Sequence, residues 1–152
     1  MGPSSFMARR RHIARIAVMQ VLFEREKLPA VDPQAALERD EAELGESDGE
    51  FSRSLLDGVI ANEEDLKRVV QEHAPGWSLD RMDAISRCVL MVGAYELLHC
   101  KEVPPPVVMN EAIEIAKEYG TDEGGKFVNG VLNAVAKTAS GGTPPAPENV
   151  AA

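Results

Sequence analysis

Apolar residues in this chain recur at intervals of three and four, segment after segment, and strand-like alternation is absent. That spacing lays side chains along one face of an α-helix, so an all-α fold is expected. Ala14, Ala17, Val18, Val21 and Leu22 form such a stripe in a first helix over 8–27, which Pro29 stops. Asp32 before Pro33 is an N-cap with proline at the first helical position, opening a short acidic helix that ends at Gly45. A third helix starts within 47–49 and turns Phe51, Leu55, Val59 and Ile60 to one side. Asn62 interrupts it and recaps 63–73, with Leu66, Val69 and Val70 inward. Ser78 is expected to cap a long helix carrying Met82, Ile85, Val89, Val92, Gly93 and Leu97 on one face. Pro104, Pro105 and Pro106 exclude helix until Val108, whose segment stops at Gly120. Gly124 and Gly125 read as a tight turn before a last helix with Phe127, Val128, Val131, Leu132, Val135 and Ala136. The total is six or seven helices.

At 152 residues the chain suits one domain with a core of its own. Aromatics are 5% of the sequence, so Ala, Val, Leu, Ile and Met must fill that core. Residues 1–7 lack periodicity and read as a flexible leader, or as a stretch ahead of a native start at Met7. The helical domain is expected over 8–139, and the Gly- and Pro-rich stretch 140–152 reads as a disordered tail. Cys88 and Cys100 are too few for a disulfide framework, which favours a reducing, cytoplasmic setting. No apolar run is long enough to span a membrane, and no signal peptide is recognisable.

The net charge of −9 conceals an asymmetry: 1–27 hold six basic and two acidic residues, the rest ten and 23. Arg9, Arg10, Arg11, His12 and Arg15 crowd the start of the first helix, where the helix dipole is already positive. Either a run of phosphates answers that charge, through bidentate guanidinium contacts, or the cluster is a solvated basic terminus. Phe23 lies on the same helix, a ring on which an unstacked base could lie or a core residue. The segment from Gly120 to Phe127 approaches a phosphate-binding loop but puts Phe127 where a hydroxyl is needed and acids at 122 and 123. His12, His73 and His99 fall in different elements and neither cysteine has a C-x-x-C partner, so no metal or catalytic site is expected. The acidic stretch 38–50 reads as a solvated surface.

Five sequence blocks follow in order across about 9–137. They are Arg10-Arg11-His12-x-x-Arg15 running into Ala17-Val18-Met19-Gln20-Val21-Leu22-Phe23, then Leu55-Leu56-Asp57-Gly58-Val59, then Ala94-Tyr95-Glu96-Leu97. The most specific are Val108-Met109-Asn110-Glu111-Ala112-Ile113-Glu114-Ile115-Ala116-Lys117 and Lys126-Phe127-Val128-Asn129-Gly130-Val131-Leu132. Together they resemble the NusB family of bacterial transcription antitermination factors. The resemblance implies two packed helical bundles, no enzymatic activity and no cofactor. It implies binding of single-stranded boxA RNA in nascent ribosomal transcripts, together with the ribosomal protein NusE of the antitermination complex. RNA contacts would be Arg9, Arg10, Arg11, Arg15, Gln20 and Phe23, with Lys126 and Phe127 from the start of the last helix. NusE would be received on the central helix around Ser86, Arg87 and Met91, where Ser86 replaces a usual Glu and Met91 a usual Arg. Asn110 and Asn129 are read as structural, buried or half-buried amides. An alternative reading is a homodimeric interaction subunit whose basic helix is masked by a partner.

Overall fold

Capping chemistry decides where most of the helices begin. A computed structural model of the chain describes residues 3–142. Seven helices are seen there: α1 Pro3–Lys27, α2 Pro33–Leu44, α3 Gly49–Ala61, α4 Glu63–Glu72, α5 Ala84–His99, α6 Pro105–Tyr119 and α7 Asp122–Ala139. A 3-10 turn, Leu79–Arg81, precedes α5, and no strand occurs among the described residues. Asp32 caps α2 as expected, accepting from the Gln34 and Ala35 amides, and Gly45 ends it at φ +104°, a left-handed conformation that suits glycine. No described helix is long and apolar enough to cross a membrane.

The chain divides into two units, α1 to α3 and α4 to α7. In the first, Ala14, Ala17, Val18 and Val21 of α1 are fully buried, as are Leu56 and Val59 of α3, with Leu37 of α2 almost so. In the second, α5 packs against α4, α6 and α7. Its Leu90 and Ala94 are sealed, together with Val70, Val128 and Leu132. His73, at the end of α4, ties that helix to α7: Nδ1 donates to Val69 O at 2.7 Å, and Nε2 is hydrogen-bonded to the Thr138 hydroxyl at 2.8 Å.

Several sequence expectations are corrected. The leader is helical from Pro3, because proline suits the first helical position and no breaker follows it. Ser78 makes no capping bond; Asp83 caps α5 instead, its carboxylate accepting from the Ser86 amide at 3.0 Å. Pro105 and Pro106 belong to the first turn of α6, where an N–H would have no helical acceptor. Gly124 and Gly125 lie inside α7, which Thr121 caps by accepting from Gly124 N at 2.9 Å. Their smallness serves close packing rather than a turn: a Cβ on Gly125 would stand 2.7 Å from Lys117 Cγ, and one on Gly124 3.0 Å from Ser86 Oγ. Asn110 and Asn129 are exposed, not buried. Ser140, Gly141 and Gly142 close α7 in an ordered turn, with Gly142 N donating to Lys137 O at 2.8 Å. The rest of the expected tail, 143–152, lies outside the described residues.

Candidate nucleic-acid interface

The arginines of α1 meet rings and a loop that the sequence leaves distant. Phe6 and Arg10 are four residues apart and so share a face; the Arg10 guanidinium lies 5.7 Å from the Phe6 ring centre. Arg11 and Arg15, also four apart, both lie over the ring of Phe51 from α3, at 4.4 and 5.0 Å. Guanidinium groups are drawn to such ring faces by the ring quadrupole. The loop before α3 closes the cluster. Arg10 donates to Ser47 O at 2.8 Å, and Asp48 N donates to Arg10 O at 3.1 Å. Asp48 has two tasks: one carboxylate oxygen accepts from Phe51 N at 3.1 Å, opening α3, and the other pairs with Arg11 at 3.6 Å. Arg9 is exposed and has no ion pair among the described residues. Arg10 and Arg11 are half-exposed, so their remaining donors are open to an anion.

Arg15 differs. It is 3% exposed, packed under Phe51, and its guanidinium is part of the interior rather than of the solvent-facing surface. Replacing Arg15 by Ala is expected to destabilise the fold by about 2 kcal/mol or more, the worth of a desolvated cation–ring contact. If the arginine cluster takes phosphates, the salt dependence of that binding should stay as it was; a flattened dependence with an unchanged melting temperature would make Arg15 a phosphate ligand after all.

Gln20 and Phe23 are half-buried further along α1, with the Lys27 ammonium 5.7 Å from the centre of the Phe23 ring. At 1.5 Å per residue, Phe23 lies roughly 20 Å along the axis from Arg9, so one strand of several nucleotides would be needed to touch both.

In the second unit, Lys126 is exposed at the first turns of α7 and Phe127 is half-buried beside it. Lys126 pairs with Glu123 at 3.6 Å, three residues back on a solvated face. Phe127 meets Trp77 edge to face, ring centres 5.6 Å apart. Trp77 and Arg81 were not among the expected site residues, and neither was Phe51 in this role. The signal for Trp77 was its position: the chain's single tryptophan, directly after the turn residues Pro75-Gly76.

The residues expected to receive NusE lie largely out of solvent. Ser86 is 1% exposed and Met91 7%, leaving almost no surface to offer a partner. Arg87 is half-buried and spends one nitrogen on two backbone oxygens, Leu79 O at 2.8 Å and Met82 O at 2.7 Å. Its task in this structure is to fasten the 3-10 turn to α5.

Comparison with known proteins agrees with this architecture. The NusB family model matches residues 10–137. Transcription antitermination protein NusB of Bacillus cereus (strain B4264) is 36% identical over 129 residues, spanning 85% of this chain and 98% of that protein. T. maritima NusB superposes with a TM-score of 0.77 at 38% identity, covering 84% of this chain and 90% of that one. A chain in the crystal structure of antitermination factors NusB and NusE in complex with dsRNA superposes with a TM-score of 0.76 at 28% identity, covering 86% and 98%. The chain belongs to the NusB family.

Proposed function

We propose that the protein is a transcription antitermination factor that binds single-stranded boxA-type RNA of nascent ribosomal transcripts together with NusE. NusB-family proteins are non-catalytic RNA-binding regulators, and a solved relative is one of a NusB–NusE assembly with dsRNA. The observation that carries the reading is the arginine cluster of α1. Arg9, Arg10 and Arg11 stay at the surface with rings alongside, on a chain whose remaining sequence is strongly acidic. Cations hold the backbone of a strand, rings offer faces to its bases, and the acidic remainder repels polyanions that miss the site.

We take Arg9, Arg10, Arg11, Arg81 and Lys126, each at least partly exposed, as the cations that contact phosphates. Five such contacts give a log–log salt slope near −3.5 for a single strand. The test titrates a boxA-like and a scrambled oligoribonucleotide at several salt concentrations, with and without NusE. Preference for the boxA-like strand, strengthened by NusE, with a steep salt dependence, is the expected result. Equal affinity for the two strands, or binding indifferent to salt, overturns the reading.

A further inference from the structure

We infer that the cleft between the 77–83 loop and the start of α7 seats one unstacked nucleobase of a single-stranded RNA, with Trp77 as its stacking surface. The inference rests on the RNA-binding reading above and deepens it at Lys126 and Phe127, adding the ligand group and Trp77 as its stacking surface.

The cleft has a volume of about 620 Å³ and is lined by Trp77, Arg81, Met82, Thr121, Lys126 and Phe127, among others. Trp77 is 52% exposed although Phe127 stands edge-on to it, leaving much of the indole uncovered. An exposed tryptophan on a floppy loop would say little. This loop is fastened from both sides. Gln71 of α4 donates through Nε2 to Trp77 O and accepts through Oε1 from Leu79 N at 3.0 Å. Trp77 N donates to Ala74 O at 3.1 Å, and Gly76 takes the left-handed φ of +85° that the reversal requires. Arg87 of α5 holds Leu79 O and Met82 O from the far side. The indole is therefore presented on a braced platform, and a ligand need not supply the entropy of ordering it.

The charges beside the rings select the class of ligand. Arg81 is exposed with no ion pair among the described residues, and Lys126 has only a solvated pair with Glu123. Two cations flanking two rings match a nucleotide, whose base offers a π-face and whose neighbouring phosphates offer anions. The acceptors on the rim, Asp83 and Glu123, suit base-edge amino and imino groups.

Trp77 is the only tryptophan in the chain, so emission excited to the red of the two tyrosines reports on this cleft. The full chain is titrated with a fluorescein-labelled boxA-like oligoribonucleotide, following anisotropy, and with the unlabelled strand, following tryptophan emission. Saturable quenching at the same midpoint as the anisotropy is expected. Trp77→Ala should weaken binding on the order of tenfold, and Trp77→Phe, which keeps a ring, should recover most of the loss. Arg81→Ala should reduce the salt slope by about 0.7. Circular-dichroism melts of both tryptophan variants separate lost binding from lost folding. If anisotropy shows binding while emission does not change, or if Trp77→Ala binds as the parent does, the cleft is not a base site and the RNA-binding reading stands. Absence of any anisotropy change overturns both.

Discussion

Replacing Arg9, Arg10 and Arg11 together by Ala is expected to lower affinity for single-stranded RNA on the order of a hundredfold at low salt. The same change should flatten the log–log salt slope from about −3.5 to about −1.4, since three of five phosphate contacts disappear. Helix α1 itself should survive. Alanine is a better helix former than arginine, and removing three neighbouring cations relieves their mutual repulsion. What the fold loses is the Arg10 bond to Ser47 O, the Arg10 contact with Phe6, the Arg11 pair with Asp48 and the Arg11 contact with Phe51. Half-exposed contacts of this kind are worth about 1 kcal/mol each or less. A triple Lys variant separates charge from geometry: it should keep most of the salt slope while losing affinity, because an ammonium cannot grip a phosphate with two parallel donors. Filter or anisotropy titrations across a salt series measure both quantities. A triple Ala variant with the parent's slope would place the phosphate contacts elsewhere on the molecule.

The helices were legible in the sequence where a local rule had no competitor. Asp32-Pro33 and Gly45 bound α2 because capping and φ preference are properties of one or two residues. The boundaries that moved are those where two local signals competed. Ser78 and Asp83 both suit an N-cap, and the carboxylate of Asp83 takes the Ser86 amide while Arg87 draws the intervening carbonyls into a 3-10 turn. Proline reads equally as a breaker and as a first-turn residue, and Pro105 and Pro106 act as the latter. Gly124 and Gly125 read as a turn because nothing local reveals the side chains of Ser86 and Lys117 that come against them.

The candidate site divides along the same line. A run of three arginines is visible in one dimension, so Arg9 to Arg11 stand out from charge, with phosphates or solvent as the two readings. That Arg15 is buried beneath a ring is not visible, because Phe51 is 36 residues away and approaches only when α3 packs on α1. Trp77 and Phe127 meet through a similar long-range contact, which is why one ring of the cleft was named beforehand and the other was not.

The largest effect on stability is expected where α5 and α7 cross. Gly93 is buried in the middle of α5, and a Cβ placed on it would stand 2.6 Å from Leu132 Cδ1 and 3.1 Å from Leu132 Cδ2. Leu132 is 0% exposed, so its methyl groups cannot swing into solvent to make room. In Gly93→Ala the gain in helix propensity, up to about 1 kcal/mol, opposes the overpacking. Gly93→Val loses most of that offset and adds two more methyl groups, so a destabilisation of about 3 kcal/mol is expected, or roughly 10 °C in melting temperature. Leu132→Ala alone should cost about 2–5 kcal/mol by opening a cavity at the same crossing. Combined, the two changes oppose each other, because the valine enters the space the leucine vacates. The double variant should therefore be more stable than the sum of the single effects by about 1–2 kcal/mol, a coupling that distant sites do not show. Thermal and urea melts of the four proteins measure it; strictly additive losses would mean that Gly93 is small for a reason other than the approach of Leu132.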